Sequence, residues 1–155
     1  MIAFADTSVV CALLHEQSTT PEAETLFSEL KSPLTLSTLV AFEFRQSARL
    51  QSFRFSADRT QGWSARETER MLAQFDANIA AGAFVHGAIN WPEVHALAEQ
   101  YSHAHTIKRG HRTLDVLHVA TAVHLRADLF CTVDRLQSEL ARTVGLKVRP
   151  ARLRT

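Results

Sequence analysis

Short apolar segments alternate along this chain with longer segments of helical periodicity, and this alternation constrains the fold more than any other feature. The apolar segments are predicted strands at residues 2–5, 34–37, 83–89, 128–133 and 146–148. Strands separated by helices are joined by parallel crossovers, and a sheet built in this way is covered by helices on both faces. We therefore predict an α/β fold: a three-layer α/β/α sandwich with a central, mainly parallel sheet of four to five strands.

The length of the chain favours one domain. A chain of 155 residues is close to the usual size of a single domain, and 5 Gly and 4 Pro leave little material for flexible linkers. We assign residues 1–150 to that domain and residues 151–155 to a basic C-terminal tail. Residues 53–63 are predicted to be irregular, because Gly62 and the aromatic side chains there interrupt the helical period, whereas 65–81 is a predicted helix.

Capping residues mark where the predicted helices begin. Thr7 and Ser8 can cap the helix that follows the first strand. Asn90, with Glu93 three positions later, can cap a helix over about 91–105. Ligands of open α/β sheets bind at the carboxyl ends of the strands, so the residues that follow the strands are the first candidates for function.

Cysteine usage and the first residues of the chain predict a cytoplasmic protein. The two cysteines, Cys11 and Cys131, lie far apart in apolar runs and form neither a disulfide framework nor a CxxC metal site. The first residues lack the basic and long apolar segments of a signal peptide. Since no apolar run approaches the roughly 18 residues of a membrane span, we expect no contact with a membrane.

Four acidic residues from distant segments are predicted to meet at one edge of the sheet. Asp6 ends the first strand and Asp134 ends the fourth, so in a parallel sheet both lie at the same edge. Glu43 lies early in the helix after the second strand, and helical side chains tilt toward the helix N-terminus. Asp115 lies in the first turn of the helix that leads to the fourth strand. Carboxylates brought together among apolar neighbours repel one another, and Mg²⁺ or Mn²⁺ relieves that repulsion, prefers oxygen ligands and can activate water.

Each acid also has an ordinary structural explanation. Asp6 and Asp134 can cap helices, and Asp115 can interact favourably with a helix dipole. Glu43 can form a surface ion pair with arginines of its own helix. The occurrence of all four in apolar contexts at one predicted edge favours a shared site over four separate explanations.

Four short stretches carry a recognisable pattern of residues. In chain order they are Ala5-Asp6-Thr7-Ser8, Phe42-Glu43-Phe44-Arg45, the stretch from Arg112 to Ala122, and Thr132-Val133-Asp134. In this order, and over nearly the whole chain, they resemble the PIN-domain nucleases, especially the bacterial VapC-type toxin ribonucleases. The third stretch is the most specific of the four, and residues 53–80 match none of the family's motifs.

The resemblance implies a PIN-like sandwich, an Mg²⁺ or Mn²⁺ site, and cleavage of single-stranded or structured RNA. It also implies a cognate antitoxin and a homodimer. Carried over to the matching positions, the catalytic acids are Asp6, Glu43, Asp115 and Asp134. Asp6 and Asp115 are the expected direct metal ligands, whereas Glu43 and Asp134 bind directly or through water. Supporting roles are expected for Thr7, Ser8, Thr132 and His118.

The charge balance is compatible with RNA binding once the acids are sorted by position. The chain has 17 Lys+Arg and 16 Asp+Glu, a formal net charge of +1, which excludes a strongly basic RNA-coating protein. Without the four site acids the balance is 17 against 12, or +5. Arg45, Arg109 and Arg112 are predicted to contact RNA phosphates, and the same basic surface can also serve an acidic segment of an antitoxin.

The histidines give a weaker signal than the acids. His118 lies three residues after Asp115, so it can orient that carboxylate or meet a phosphate, but a buried structural histidine explains it as well. The other histidines, His111 among them, form no spaced zinc motif and are expected to be mostly exposed to solvent.

The leading hypothesis is a Mg²⁺- or Mn²⁺-dependent endoribonuclease, the toxin of a type II toxin–antitoxin pair. One alternative is a PIN fold that binds RNA or a partner without catalysis. The other is a phosphoacceptor signalling module, in which an aspartate at a strand end is phosphorylated. Such modules have paired acids early in the chain and a lysine near the last strands, whereas here residue 7 is Thr7 and the one late lysine is Lys147.

Overall fold

The computed structural model describes residues 1–150, and its centre is a five-stranded sheet. Its strands are β1 (Ala3–Ala5), β2 (Leu34–Leu36), β3 (Phe84–His86), β4 (Leu129–Cys131) and β5 (Val148–Arg149). All neighbours pair in parallel, in the order β3-β2-β1-β4-β5. The predicted parallel sheet is therefore confirmed. The predicted basic tail at 151–155 lies outside the described residues.

Helices connect the strands and cover both faces of the sheet. They are α1 (Thr7–Leu14), α2 (Thr20–Glu29), α3 (Thr38–Ala57), α4 (Ala65–Ala80), α5 (Trp91–Tyr101), α6 (Ile107–Arg109), α7 (Thr113–His124) and α8 (Arg135–Thr143). Ala3, Phe4 and Ala5 of β1 are all 0% exposed, although successive side chains of a strand point to opposite faces. Both faces are thus covered, which confirms the predicted α/β/α sandwich. None of these helices is both long enough and apolar enough to span a membrane.

The order of the strands places a crevice beside the central strand. Phe4 of β1 pairs with Thr35 of β2 on one side and with Phe130 of β4 on the other. The chain proceeds from β1 to β2 and β3 in one direction, and β4 and β5 extend the sheet in the other. This reversal between β1 and β4 is the position at which open α/β sheets bind their ligands.

The prediction of an irregular segment at 53–63 is wrong in its first half, because α3 continues to residue 57. Phe53 is 68% exposed on this helix, and an apolar side chain on the solvent side disguises the helical period. The irregular segment begins at Asp58, whose carboxylate accepts a hydrogen bond from the N–H two residues later. Gly62 has a φ of +66°, and a Cβ there would lie 2.1 Å from the Gln51 carbonyl oxygen, so glycine is required.

The predicted helix over 91–105 is longer than expected, and its cap differs from the prediction. After α5 the chain forms a π-helical turn at Ser102–Thr106 and then α6, and the left-handed Gly110 (φ 71°) follows. Asn90 precedes α5 but caps no helical N–H; its side-chain amide instead donates to Glu93 Oε1 at 2.7 Å.

Candidate functional site

Asp6 follows the central strand and is completely buried. Its Oδ1 accepts hydrogen bonds from Val9 N at 3.1 Å and Ser8 Oγ at 2.7 Å, and its Oδ2 accepts one from Thr132 Oγ1 at 2.6 Å. Asp6 has an extended backbone and caps α1 itself, so the prediction that Thr7 or Ser8 caps this helix is wrong. The structure therefore places Ser8 and Thr132 as the hydroxyl donors that orient Asp6.

Burial dominates the electrostatics of Asp6. Burial raises the pKa of its carboxyl above the ordinary value, and the Thr132 and Ser8 hydrogen bonds and the charge of a protonated His118 offset that effect only in part. Within residues 1–150, no ion pair reaches Asp6. A buried carboxylate without a counter-charge is a position at which a bound cation is stabilised.

Glu43 is held by residues of α1 and α7. Phe44, the next residue of α3, stacks on Phe75 of α4 with ring centroids 4.8 Å apart, which fixes the helix that carries Glu43. The Oε2 atom of Glu43 accepts hydrogen bonds from the Thr7 hydroxyl and, at 2.6 Å, from His118 Nε2. Burial raises the pKa of Glu43, but the hydrogen bonds from His118 and Thr7, together with the charges of His118 and Arg112, outweigh it and hold the pKa below its usual value. Thr7 thus supports Glu43.

His118 is 1% exposed and contacts Glu43 rather than Asp115. Because an ionised Glu43 can only accept, the Nε2 atom of His118 carries the proton of this hydrogen bond. The Nδ1 atom is buried and has no hydrogen-bond partner among the described residues. The structure therefore makes His118 a side chain that orients Glu43.

Asp115 is nearly buried, with its side chain 4% exposed, and it accepts four hydrogen bonds. Arg112 donates to Oδ2 from Nε at 2.8 Å and from its backbone N at 3.3 Å, and to Oδ1 from Nη2 at 3.1 Å. Gln137 Nε2 donates to Oδ1 at 3.1 Å. Because a carboxylate offers about four acceptor sites, Asp115 has no free one. Gln137 is absent from the predicted site; its only sequence signal is a polar residue in the first turn of a helix.

Arg112 connects the acids of α7 and α8. Its Nη2 atom lies 3.6 Å from Asp134 Oδ2, and its charge contributes to lowering the pKa of Glu43. Asp134 also caps α8, because its Oδ1 accepts from Gln137 N at 2.9 Å, and its own N–H donates to Thr132 Oγ1 at 3.0 Å. The guanidinium therefore holds a positive charge among these carboxylates.

The donor set suits a hard divalent cation such as Mg²⁺ or Mn²⁺. Asp6 accepts three hydrogen bonds and retains about one acceptor site, and the Oε1 atom of Glu43 accepts no hydrogen bond in the part of the chain described. No group of three acidic, histidine or cysteine side chains in residues 1–150 is arranged to hold a metal ion.

The arginines predicted to bind RNA have different surroundings. Arg45 forms an ion pair with Asp76 at 2.7 Å and lies over the Phe75 ring at 4.7 Å, so the structure ties it to α4 and does not bring it to the acids. Arg109 lies 3.8 Å from Glu139 and lines a cavity of about 390 Å³ beside α8.

His111 lines the same cavity and departs from its prediction. The prediction that His111 is mostly exposed to solvent is wrong, because only 8% of its surface is exposed. The left-handed Gly110 turns the chain at this point, and His111 and then Arg112 lead into α7. Burial lowers the pKa of His111.

Comparisons with known proteins agree with this fold. The family model described as PIN domain matches residues 3–143. The fold is similar to Mycobacterium tuberculosis VapC20, described as a sarcin–ricin loop cleaving toxin, with 16% identity over 93% of this chain and 95% of that chain and a TM-score of 0.64. It is also similar to FitAB bound to an IR36 DNA fragment, with 21% identity over 100% and 99% of the two chains and a TM-score of 0.66. VapBC-1 from nontypeable Haemophilus influenzae shares 16% identity over 96% of this chain and 97% of that chain, with a TM-score of 0.62. No curated protein sequence matches the chain.

Proposed function

The chain belongs to the PIN-domain family, and on that premise we propose that it is a Mg²⁺- or Mn²⁺-dependent endoribonuclease that cleaves single-stranded RNA. The observation that carries the proposal is the approach of carboxylates from α3 and α7 to the two carboxylates that follow β1 and β4. Asp6 and Glu43 are held there by fixed hydroxyl and imidazole donors, and Arg112 joins Asp115 to Asp134. Fixed carboxylates of this kind are suited to a divalent cation that contacts a phosphodiester.

The residues of the chain have separable roles in this reaction. Asp6 and Asp115 are the proposed direct ligands, with Glu43 and Asp134 binding directly or through water. When bound, the metal ion lowers the pKa of a coordinated water and stabilises negative charge on the scissile phosphate. His118 keeps Glu43 oriented, so the Oε1 atom of Glu43 is available to accept a hydrogen bond from the attacking water.

Basic residues of the segment that leads into α7 favour an RNA strand as the substrate. Lys108 and Arg109 line the cavity beside α8, whose wall also includes Arg142. Arg112 is 73% exposed and follows this cavity in the chain. Cations on the approach to an acidic site neutralise the backbone phosphates of a bound strand. We expect RNA binding of moderate strength that weakens as salt is added.

We further propose that the protein is a type II toxin with an antitoxin partner. The shared fold with VapC20, VapBC-1 and FitAB supports this role. Phe42, Leu50 and Phe53 of α3 are 62%, 41% and 68% exposed, and apolar surface of this kind is typical of protein contacts. A homodimer and action in the cytoplasm follow from the same proposal. Light scattering of the purified protein tests the dimer, and co-purification with the product of an adjacent small reading frame tests the partner.

Cleavage of an end-labelled single-stranded RNA tests the enzymatic proposal. We expect cleavage with Mn²⁺ or Mg²⁺, loss of cleavage with EDTA, and recovery when the metal is added back. The Asp6→Asn variant should be inactive under every condition, because it removes the buried charge. Cleavage that survives both EDTA and Asp6→Asn would show that the site described here does not perform the reaction.

A PIN fold that binds RNA or a partner without catalysis is the second candidate. The saturation of Asp115 by Arg112 and Gln137 favours it, because this carboxylate has no site left for a metal in the structure. Absence of any Mn²⁺ affinity in a direct titration would support this candidate. The phosphoacceptor hypothesis has less support, because residue 7 is a threonine rather than a second early acid and Lys147 is the one late lysine; labelling by acetyl phosphate tests it.

A further inference from the structure

We propose that the Arg112 guanidinium is a displaceable internal cation, which occupies Asp115 and Asp134 until a divalent ion binds and is then released to meet an RNA phosphate. This inference rests on the proposed function, which supplies the divalent ion. It adds that Arg112 and the divalent ion compete for the same carboxylates. Binding of the ion therefore releases the arginine.

The competition follows from the acceptor sites of Asp115. Arg112 supplies three of its four hydrogen bonds and Gln137 supplies the fourth. A carboxylate has about four acceptor sites, and a bound Mg²⁺ occupies one of them at about 2.0–2.1 Å. The ion therefore cannot bind Asp115 unless a donor leaves, and the same guanidinium also lies 3.6 Å from Asp134.

The exposure of the partners decides which donor leaves. The Arg112 side chain is 73% exposed, so its guanidinium can move into water and recover its hydration. Gln137 is 4% exposed and lies in the first turn of α8, whose N-terminus Asp134 caps, so it stays in place. After the exchange, Gln137 still orients Asp115, and the metal ion replaces the positive charge that Arg112 contributed.

The released guanidinium is suited to the substrate. An arginine fork binds phosphate oxygens through two parallel hydrogen bonds. Arg112 follows Lys108 and Arg109 of the cavity wall closely in the chain, and its guanidinium contacts Asp115 and Asp134. Once released, the guanidinium remains tethered next to Asp115 and Asp134, where it can bind a phosphate of the RNA strand.

Direct Mn²⁺ titration of the full chain, without RNA, tests the competition. Removing the competitor in Arg112→Gln should tighten Mn²⁺ binding about two- to fivefold, the range expected for loss of an ion pair whose arginine side chain is 73% exposed. The matched control is Arg135→Gln, which removes an equal charge from a residue that is 82% exposed and lies 3.8 Å from Glu139. Its Mn²⁺ affinity should stay within about twofold of the wild-type value.

A second readout uses the wild-type chain and does not depend on the variant's folding. The Nε–H group of Arg112 donates to Asp115 and should give a distinct side-chain NMR signal. Addition of Mg²⁺ should shift this signal toward that of a free, rapidly exchanging arginine. The signal is assigned by its loss in Arg112→Gln and its retention in Arg135→Gln.

The outcomes separate this inference from the proposed function. One outcome is that the wild-type chain binds metal while its Arg112 signal stays unchanged, and that Arg112→Gln binds Mn²⁺ with the wild-type affinity. This outcome would overturn the inference and leave the nuclease proposal standing. No divalent-ion binding by any of the three proteins would overturn both. Tighter binding in Arg112→Gln alone, together with a shifted arginine signal in the wild type, is the result that supports the exchange.

Discussion

Replacing Thr132 by valine removes a hydroxyl that joins two strand ends of the candidate site. Thr132 is completely buried; its Oγ1 atom donates to Asp6 Oδ2 at 2.6 Å and accepts from Asp134 N at 3.0 Å. Valine has nearly the same shape but neither donates nor accepts. Thr132→Val therefore leaves one oxygen of a buried carboxylate and one backbone N–H without these partners.

The magnitude follows from those two losses. A hydrogen bond to a charged group contributes about 1.5–3 kcal/mol, and an unsatisfied buried N–H costs about 1–3 kcal/mol. Since neighbouring contributions are not fully additive, we expect Thr132→Val to lower the free energy of unfolding by about 2–4 kcal/mol. Thr132→Ser keeps the hydroxyl and removes one buried methyl, for a loss of about 1 kcal/mol.

Urea denaturation at pH 8 measures both variants beside the wild type. The expected order of stability is wild type, Thr132→Ser and Thr132→Val, with the serine variant retaining Mn²⁺ affinity and the valine variant losing it. If the valine variant is as stable as the serine variant, the hydroxyl does not hold Asp6, and the reasoning about the position of that carboxylate is refuted.

Three further predictions concern charge and position in the fold. Burial raises the pKa of Asp6, so the free energy of unfolding of the wild type should fall as the pH rises from the pKa of the unfolded state to that of the folded state. Asp6→Asn should therefore be more stable than the wild type at pH 8, and a less stable variant would contradict this. Hydrogen bonds from Arg70 and His15 lower the pKa of Glu67 to about 2. The urea midpoint of the wild type should therefore fall as the pH drops from about 4.5 to about 2, and Glu67→Gln should show a smaller fall over the same pH range. Gln137→Leu should reduce the rate of cleavage by about 10- to 100-fold with little change in RNA affinity, because it removes the hydrogen bond by which Gln137 orients Asp115. An equal loss of RNA affinity would argue against a positioning role for Gln137.

The parts of the fold that the sequence predicts are those set by local periodicity. The five strands follow from short apolar runs, although β5 lies at Val148–Arg149 rather than 146–148 and β3 is shorter than predicted. The placement of Asp6 and Asp134 at one edge follows from parallel topology alone. The end of α3 could not be predicted, because the exposed Phe53 hides the helical period that continues through it.

The contacts within the candidate site depend on the approach of distant helices. His118 meets Glu43 of α3, and Gln137 of α8 meets Asp115 of α7, and neither pairing has a signature in the spacing of residues. The contact between Arg112 and Asp115 is different, because a spacing of three residues at a helix start allows it. The sequence therefore identifies the carboxylates more readily than the donors that hold them.

RNA cleavage by single-acid variants tests the central claim most directly. The variants are Asp6→Asn, Glu43→Gln, Asp115→Asn and Asp134→Asn, each assayed with Mn²⁺ after its folding has been checked by circular dichroism. The control is Asp76→Asn, which changes an exposed acid that pairs with Arg45 on the α3–α4 side of the molecule. We predict that each of the four loses at least about 100-fold in rate while the control stays near the wild-type rate. Wild-type cleavage by folded Asp6→Asn or Asp115→Asn protein would contradict the account.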